Sequence, residues 1–148
     1  PERANKIKAL FLNMGSKSIY ENEEEISSDI LIVKSLGILP TLYADAQLAF
    51  VGGSLVNRGG HNIIEPAIAK CPFILGENYF NFKNIVESFI SANATHIIKT
   101  PLDIFEIFCK TYKNQDDFRE GMIRNANTVV ENNIGATTRQ LSLIRASL

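Results

Sequence analysis

One seventeen-residue segment concentrates the residues that could bind a ligand. Residues 50–66 read FVGGSLVNRGGHNIIEP and contain two glycine pairs, at 52–53 and at 59–60. Glycine lets the backbone approach a ligand closely and permits positive φ. The segment also supplies four side chains with donor or acceptor atoms, namely Ser54, His61, Asn62 and Glu65. These residue types are suited to holding the phosphate and hydroxyl groups of a nucleotide or sugar.

Two interpretations of Glu65 are open. Asn62 and Glu65 have the spacing of a capping box. Pro66, however, is favoured at the first position of a helix, which would place Glu65 at the threshold, where glutamate is not a preferred cap. A carboxylate there can accept hydrogen bonds from two neighbouring sugar hydroxyls. We favour sugar-hydroxyl binding by Glu65, with helix capping as the alternative.

The segment departs from several known catalytic and binding motifs. It lacks the glycine–lysine pair of a P-loop, the last glycine of a nucleophile elbow and the GxGxxG spacing of dinucleotide-binding folds. His61 and Glu65 could share a metal ion, but zinc normally takes three or four protein ligands and His96 is remote in sequence. We therefore predict no metal and no cofactor, and we assign no catalytic residue in this chain.

Alternating strand and helix patterns must position this segment. Short apolar runs separated by helices of about ten residues are typical of a parallel sheet. We predict a doubly wound, Rossmann-like α/β fold, in which ligands bind at the carboxyl ends of strands. Asn81 is the expected cap of one helix, and Gly135 is the expected break between the last two. The predicted strands are 29–33, 47–51, 72–75 and 95–98, and the predicted helices are 4–14, 40–43, 66–70, 82–93, 101–113, 116–133 and 137–148.

Composition narrows the class of protein. The 148 residues, 45% of them hydrophobic, suit one domain over positions 1–148. The near balance of 15 basic and 16 acidic residues argues against nucleic acid as a partner. No apolar run approaches the ~20 residues that span a bilayer. The chain begins Pro-Glu-Arg without Met, which we interpret as a cut at a domain boundary. An apolar stripe near the end would pack on this domain or on a missing one: Leu141, Ile144 and Leu148.

The glycine segment resembles the donor-site signature of 3-deoxy-D-manno-octulosonic acid (Kdo) transferases. The matching pattern is Gly-Gly-Ser, four residues, Gly-Gly-His-Asn, two residues and Glu-Pro, over residues 52–66. Similarity extends to residues 42–46 and 49–51 before this pattern, to Asn81, Phe82 and Ile85 after it, and to the opening Pro-Glu-Arg. It covers roughly residues 1–90. The resemblance implies one half of a GT-B glycosyltransferase, with twin Rossmann-like domains around a cleft.

The resemblance also implies a substrate and a location. The donor would be cytidine monophosphate linked to Kdo (CMP-Kdo) and the acceptor a lipid A precursor, bound mainly by an absent N-terminal domain that also holds the catalytic carboxylate. The parent enzyme would work at the cytoplasmic face of the bacterial inner membrane and contact the membrane only through that absent half, while this fragment would be soluble. The family pattern has acidic residues where Lys34 and Ile38 stand, so base contacts at Ile38 would be backbone contacts. The implied donor-binding residues are Gly37, Gly53, Ser54, Gly59, Gly60, His61, Asn62 and Glu65.

Two other functions fit the same residues. The chain could belong to another GT-B glycosyltransferase or an epimerase that uses a uridine-linked sugar donor. It could also be a nucleotide-binding module without transfer chemistry. A preference for cytidine over uridine nucleotides distinguishes the first function from the uridine-linked enzymes. Tight binding and a wholly polar surface would favour the module, whereas half of an enzyme should expose one apolar face.

Overall fold

The computed structural model describes residues 2–23, 27–113 and 117–146, with side chains described for residues 3–23, 27–113 and 117–133. Within it the chain divides into two compact units, Pro1–Ile38 and Leu39–Leu148. Both units contain parallel strands and helices, so the predicted α/β class is confirmed. The strands form two parallel sheets, one of two strands and one of three, instead of a single sheet.

The described residues of the first unit form one helix and two strands. Helix α1 (Glu2–Asn13) ends where Gly15 takes a φ of +79° and Ser16 N–H donates to the Phe11 carbonyl at 3.0 Å. This is the left-handed helix ending that glycine favours. Strands β1 (Ser18–Tyr20) and β2 (Ile30–Ile32) pair in parallel. The sequence predicted α1 and β2 but missed β1, because three residues flanked by charged and polar neighbours show no apolar run.

The second unit is built on three parallel strands in the order β3-β4-β5. The register sets Ala49 opposite Phe73 and Phe73 opposite Thr95. Helices connect the strands, as the sequence predicted. The elements are α2 (Leu39–Asp45), β3 (Ala49–Val51), α3 (Ile64–Ile68), β4 (Phe73–Gly76), a 3₁₀ turn (Phe80–Phe82), α4 (Lys83–Ser91), β5 (Thr95–Ile98), α5 (Pro101–Lys113) and α6 (Phe118–Ala146).

Strand β4 is the centre of the core of the second unit. All four of its residues are buried. The Phe73 ring meets the Phe89 ring of α4 edge to face, with centroids 5.4 Å apart. Val51 of β3, Val86 of α4 and Ala126 of α6 belong to the same buried cluster. Burial on both faces explains why β4 is a continuous apolar run, and it gives the segments that follow β3 and β4 a rigid base.

The last helix differs from its prediction. Helix α6 is continuous from Phe118 to Ala146, so the predicted break at Gly135 is wrong. A glycine inside a helix is only about 1 kcal/mol less favourable than alanine, so the helix can continue through it. The side chains of Leu141 and Ile144, and Leu148 as a whole, lie outside the described residues. In the described part of the chain, no helix is long and apolar enough to cross a bilayer.

Candidate functional site

The glycine segment forms a closed loop after strand β3. Gly53, Gly59 and Gly60 have φ values of +73°, +81° and +76°. Gly60 N–H donates to the Gly53 carbonyl at 3.2 Å, which closes the loop at its base. Side chains with a Cβ rarely adopt these positive φ values. The structure thus confirms the expected positive φ at three of the four glycines, Gly52 being the exception.

Ser54 ties the loop to two strands. Its side chain is fully buried, and Oγ donates to the Val51 carbonyl at 2.5 Å while accepting from Gly76 N–H at 2.8 Å. The Ser54 carbonyl accepts from Asn78 N–H at 2.9 Å. One hydroxyl therefore links the carboxyl ends of β3 and β4. Because both bonds are made within the protein, the Ser54 side chain holds the loop rather than facing solvent.

Asn81 fastens the second glycine pair. Its backbone N–H donates to the Gly59 carbonyl at 3.2 Å, and its side-chain Nδ2 donates to the Arg58 carbonyl at 3.1 Å. A Cβ at Gly59 would overlap the Asn81 side chain and come within 2.7 Å of the Phe80 ring. Asn81 therefore packs directly on the glycine, and a side chain at position 59 would both displace its neighbours and strain the backbone.

The predicted role of Asn81 as a helix cap is wrong. Helix α4 has Phe82 as its N-cap residue, with no side-chain hydrogen bond to the cap. Local sequence rules favour asparagine as a cap. The observed bond joins residues 23 positions apart, and only the β3–β4 pairing brings them together. The only feature of the sequence that pointed to a role for Asn81 near the loop was the family resemblance, which includes this residue.

Asn62 and Glu65 form a turn at the start of α3. Asn62 Oδ1 accepts from Ile64 N–H at 3.0 Å, and Asn62 Nδ2 donates to Glu65 Oε1 at 3.1 Å. The helix begins at Ile64, so Pro66 is its third residue. The prediction that Pro66 is the first residue of the helix is therefore wrong. A proline is tolerated there because the first-turn N–H groups have no partner within the helix. The Glu65 carboxylate remains exposed.

Tyr43 of α2 lies near this carboxylate and was missed by the sequence reasoning. Burial raises the pKa of the Tyr43 phenol, and the charges of Glu65 and Cys71 raise it further. Tyr43 therefore places a phenol hydroxyl within electrostatic reach of Glu65.

The His61 ring lies over the first glycine pair. A Cβ at Gly53 would come 3.3 Å from both Cδ2 and Nε2 of His61. His61 is exposed, so one rim of the loop carries His61, Asn62 and Glu65 together.

Gly37 belongs to the first unit, where it is exposed with a φ of +85°. Gly37 and the loop at residues 52–66 thus belong to different units.

The described residues contain no group of three or more His, Cys, Asp or Glu side chains that could hold a metal ion.

A cavity of about 370 Å³ lies next to Asn81, the residue that bonds the second glycine pair, and is lined by residues 80–85. Phe80 and Asn81 line this cavity and also approach Gly59. The open space therefore adjoins the glycine loop.

Comparison with known proteins identifies a relative aligned over the whole chain and others aligned over part of it. The 3-deoxy-D-manno-octulosonic acid transferase of Haemophilus influenzae is 30% identical over 151 residues, which cover 100% of this chain and 35% of that protein. The transferase of the same name from Bordetella pertussis is 38% identical over 93 residues, covering 63% of this chain and 22% of that protein. The chain thus spans about a third or less of these two relatives. No protein-family model matches the chain.

A solved structure matches the fold. It is the crystal structure of the C-terminal CMP-Kdo binding domain of WaaA from Acinetobacter baumannii, with a TM-score of 0.81 and 30% sequence identity. The match covers 88% of this chain and 69% of that domain. Sequence and fold agree with the resemblance carried by the glycine loop, and the chain belongs to the 3-deoxy-D-manno-octulosonic acid transferase family of glycosyltransferases.

Proposed function

We propose that this chain is the C-terminal, donor-binding domain of an enzyme that transfers Kdo from CMP-Kdo to a lipid A precursor. The observation that carries the proposal is the closed glycine loop with His61, Asn62 and Glu65 exposed on its rim. The structural neighbour from Acinetobacter baumannii, a CMP-Kdo binding domain, supports cytidine as the nucleoside of the donor.

Each part of the loop has a chemical role in this proposal. Transfer from a sugar nucleotide requires stabilisation of the negative charge on the departing phosphate. The backbone N–H groups of Gly53 and Gly59 supply that stabilisation, and Gly60 contributes by closing the loop, since its own N–H donates to the Gly53 carbonyl. Glu65 accepts hydrogen bonds from the ribose hydroxyls, and its bond to Asn62 orients it.

The remaining donor contacts come from His61 and Gly37. His61, held over Gly53, faces the phosphate or the sugar. Gly37 contacts the base or the ribose. Ser54 contributes by holding the loop, since its hydroxyl is fully used within the protein.

The acceptor and the catalytic base belong to the N-terminal half of the parent enzyme in this proposal. The parent acts at the cytoplasmic face of the bacterial inner membrane, where lipid A precursors would reach it. This location rests on the family resemblance. The chain contributes donor recognition and we assign none of its residues to proton transfer.

Nucleotide preference tests the donor assignment. Titration calorimetry with CMP, UMP and AMP should show CMP binding most tightly, because the donor is a cytidine nucleotide. NMR chemical-shift changes on adding CMP should centre on residues 53–65. Equal affinity for the three nucleotides would overturn the assignment, and a preference for UMP would favour a uridine-linked donor.

A further inference from the structure

Helix α5 presents an apolar surface to solvent. Its inner side packs on β5 and α6, and Thr111 is buried on that side with its hydroxyl bonded to the carbonyls of Ile107 and Phe108. Its outer side carries large apolar side chains that are between 41% and 69% exposed, namely Leu102, Phe105, Phe108 and Tyr112. A contiguous apolar surface of this kind is typical of an interaction site.

This outer surface of α5 is already ordered. Thr100 and Asp103 fix the start of the helix, since Asp103 Oδ2 accepts from Thr100 N–H at 2.9 Å and Thr100 Oγ1 accepts from Asp103 N–H at 3.3 Å. The rings of Phe108 and Tyr112 are stacked, with centroids 5.8 Å apart. A partner that binds here therefore pays little entropy for ordering the helix or these two rings.

A pair of opposite charges lies along one edge of the outer surface. Because successive residues of an α-helix are rotated by about 100°, Glu106 and Lys110 lie on the same edge of the apolar stripe. Both side chains are exposed, and neither forms an ion pair with another residue in the described ranges. The acidic residue is nearer the start of the helix and the basic residue is nearer its end.

This order of charges is complementary to a second copy of α5 that runs in the opposite direction. In a two-fold contact, residue i of one copy meets residue j of the other, and j meets i. When two antiparallel helices cross at Phe108, position 106 lies opposite position 110, so Glu106 of each copy meets Lys110 of the other. Position 105 lies opposite position 111, next to Tyr112 of the second copy, which brings the Phe105 and Tyr112 rings together.

A parallel pair of helices lacks this match. The charged edge of one copy would then meet the opposite edge of the stripe on the other copy. Within α5, that opposite edge carries Pro101 and Phe108 and no charged residue. Charge complementarity therefore favours the antiparallel arrangement.

We propose that the outer surface of α5 is a homodimer interface, in which two copies of the helix pair antiparallel about Phe108. The inference goes beyond the proposed function, because it involves neither the nucleotide nor the glycine loop. That loop lies at the carboxyl ends of the strands, whereas α5 packs along β5 and turns its outer surface away from the sheet. The dimer is weak and reversible, since α5 has 13 residues and stable interfaces take about 20–30 residues from each partner.

Sedimentation equilibrium of the 148-residue chain over a range of concentrations tests the apolar part of the interface. The wild type should show a monomer–dimer equilibrium. Phe105→Ser should raise the dissociation constant of the dimer at least about tenfold, since exposed aromatic side chains dominate such contacts. Leu12→Ser is the matched control, because Leu12 is a 74% exposed side chain of α1, and it should keep the wild-type value.

Exchange of the two charges tests the antiparallel direction. Glu106→Lys and Lys110→Glu each set like charges against one another across the interface, so each variant alone should dimerise at least about tenfold more weakly than the wild type. An equimolar mixture of the two variants sets two positive positions against two negative ones and should form heterodimers with nearly the wild-type dissociation constant. Glu87→Lys, an exposed position of α4, should dimerise like the wild type.

Several outcomes would overturn the proposal. A wild-type chain that stays monomeric up to about 1 mM has no such interface. If that monomer binds vesicles of anionic phospholipid and Phe105→Ser does not, a lipid surface covers α5 instead of a second copy. A dimer that Phe105→Ser and Leu12→Ser weaken equally uses another surface, and a mixture of the charge variants that stays monomeric contradicts the antiparallel pairing.

Discussion

Glu65 has two interpretations, ribose binding and helix capping, which a substitution can separate. The structure gives it a local bond to Asn62, as capping predicts, and also leaves the carboxylate exposed on the rim, as ligand binding requires. Glu65→Ala should weaken CMP binding by about 10- to 100-fold, since a hydrogen bond to a charged group contributes about 1.5–3 kcal/mol. Titration calorimetry of the variant and the wild type measures this loss.

An exposed glutamate on another helix provides the control for Glu65. Glu87 of α4 forms a solvent-exposed ion pair with Lys83, in which Oε1 lies 3.9 Å from Nζ; such a pair contributes little to stability. Glu87→Ala should bind CMP like the wild type. If Glu65→Ala also binds CMP normally but unfolds at a lower temperature, the capping interpretation is right and the ribose contact is wrong.

At the scale of elements, the loop is held from the ends of two strands. Ser54→Ala removes the hydroxyl that bridges β3 and β4 and leaves Gly76 N–H without its side-chain acceptor in a buried position. The free energy of unfolding should fall by about 1–3 kcal/mol, the usual cost of an unsatisfied buried polar group. Urea denaturation followed by circular dichroism measures the change. Ser88→Ala removes an exposed hydroxyl bonded to Asn84 within α4 and should change stability by less than about 0.5 kcal/mol; equal losses in the two variants would contradict the bridging role.

At the scale of the whole molecule, the sequence predicted what depends on local pattern. Of the five strands among the described residues, four were predicted from short apolar runs. The glycine loop was predicted from its two glycine pairs, since glycine permits positive φ. What it missed depends on partners distant in sequence. Asn81 reads locally as a cap, yet it bonds Arg58 once β3 and β4 are paired. Ser54 reads as a ligand contact, yet the same pairing buries its hydroxyl.

The stability of the chain should depend on pH, because several of its groups have a lower pKa in the folded state than in the unfolded state. The pKa of His96 is lowered from its usual 6.5, chiefly by burial and then by Lys110, so the folded state favours the neutral imidazole. The unfolded chain binds this proton more readily, and stability is therefore lost as the pH falls through 6.5 toward the lower folded pKa. Three carboxylates also cause stability to be lost as the pH falls, but at lower pH. Hydrogen bonds lower the pKa values of Glu23 and Asp103, and they lower the pKa of Glu21 to about 2.

Urea denaturation between pH 7.5 and pH 2.5 should therefore show a loss of stability from His96 and a loss from the carboxylates. The first begins as the pH falls below 6.5 and should disappear in His96→Gln, whose side chain does not titrate. The second, below about pH 4.5, reflects the carboxylates and should be smaller in Glu21→Gln, because that variant has no charge to lose at this position. The second loss continues toward pH 2, since Glu21 keeps its charge almost to that value while glutamate in an unfolded chain protonates near 4.5. A His96→Gln protein that retains the first loss would show that another group titrates there, and equal second losses in wild type and Glu21→Gln would show that the hydrogen bonds of Glu21 add nothing to folding.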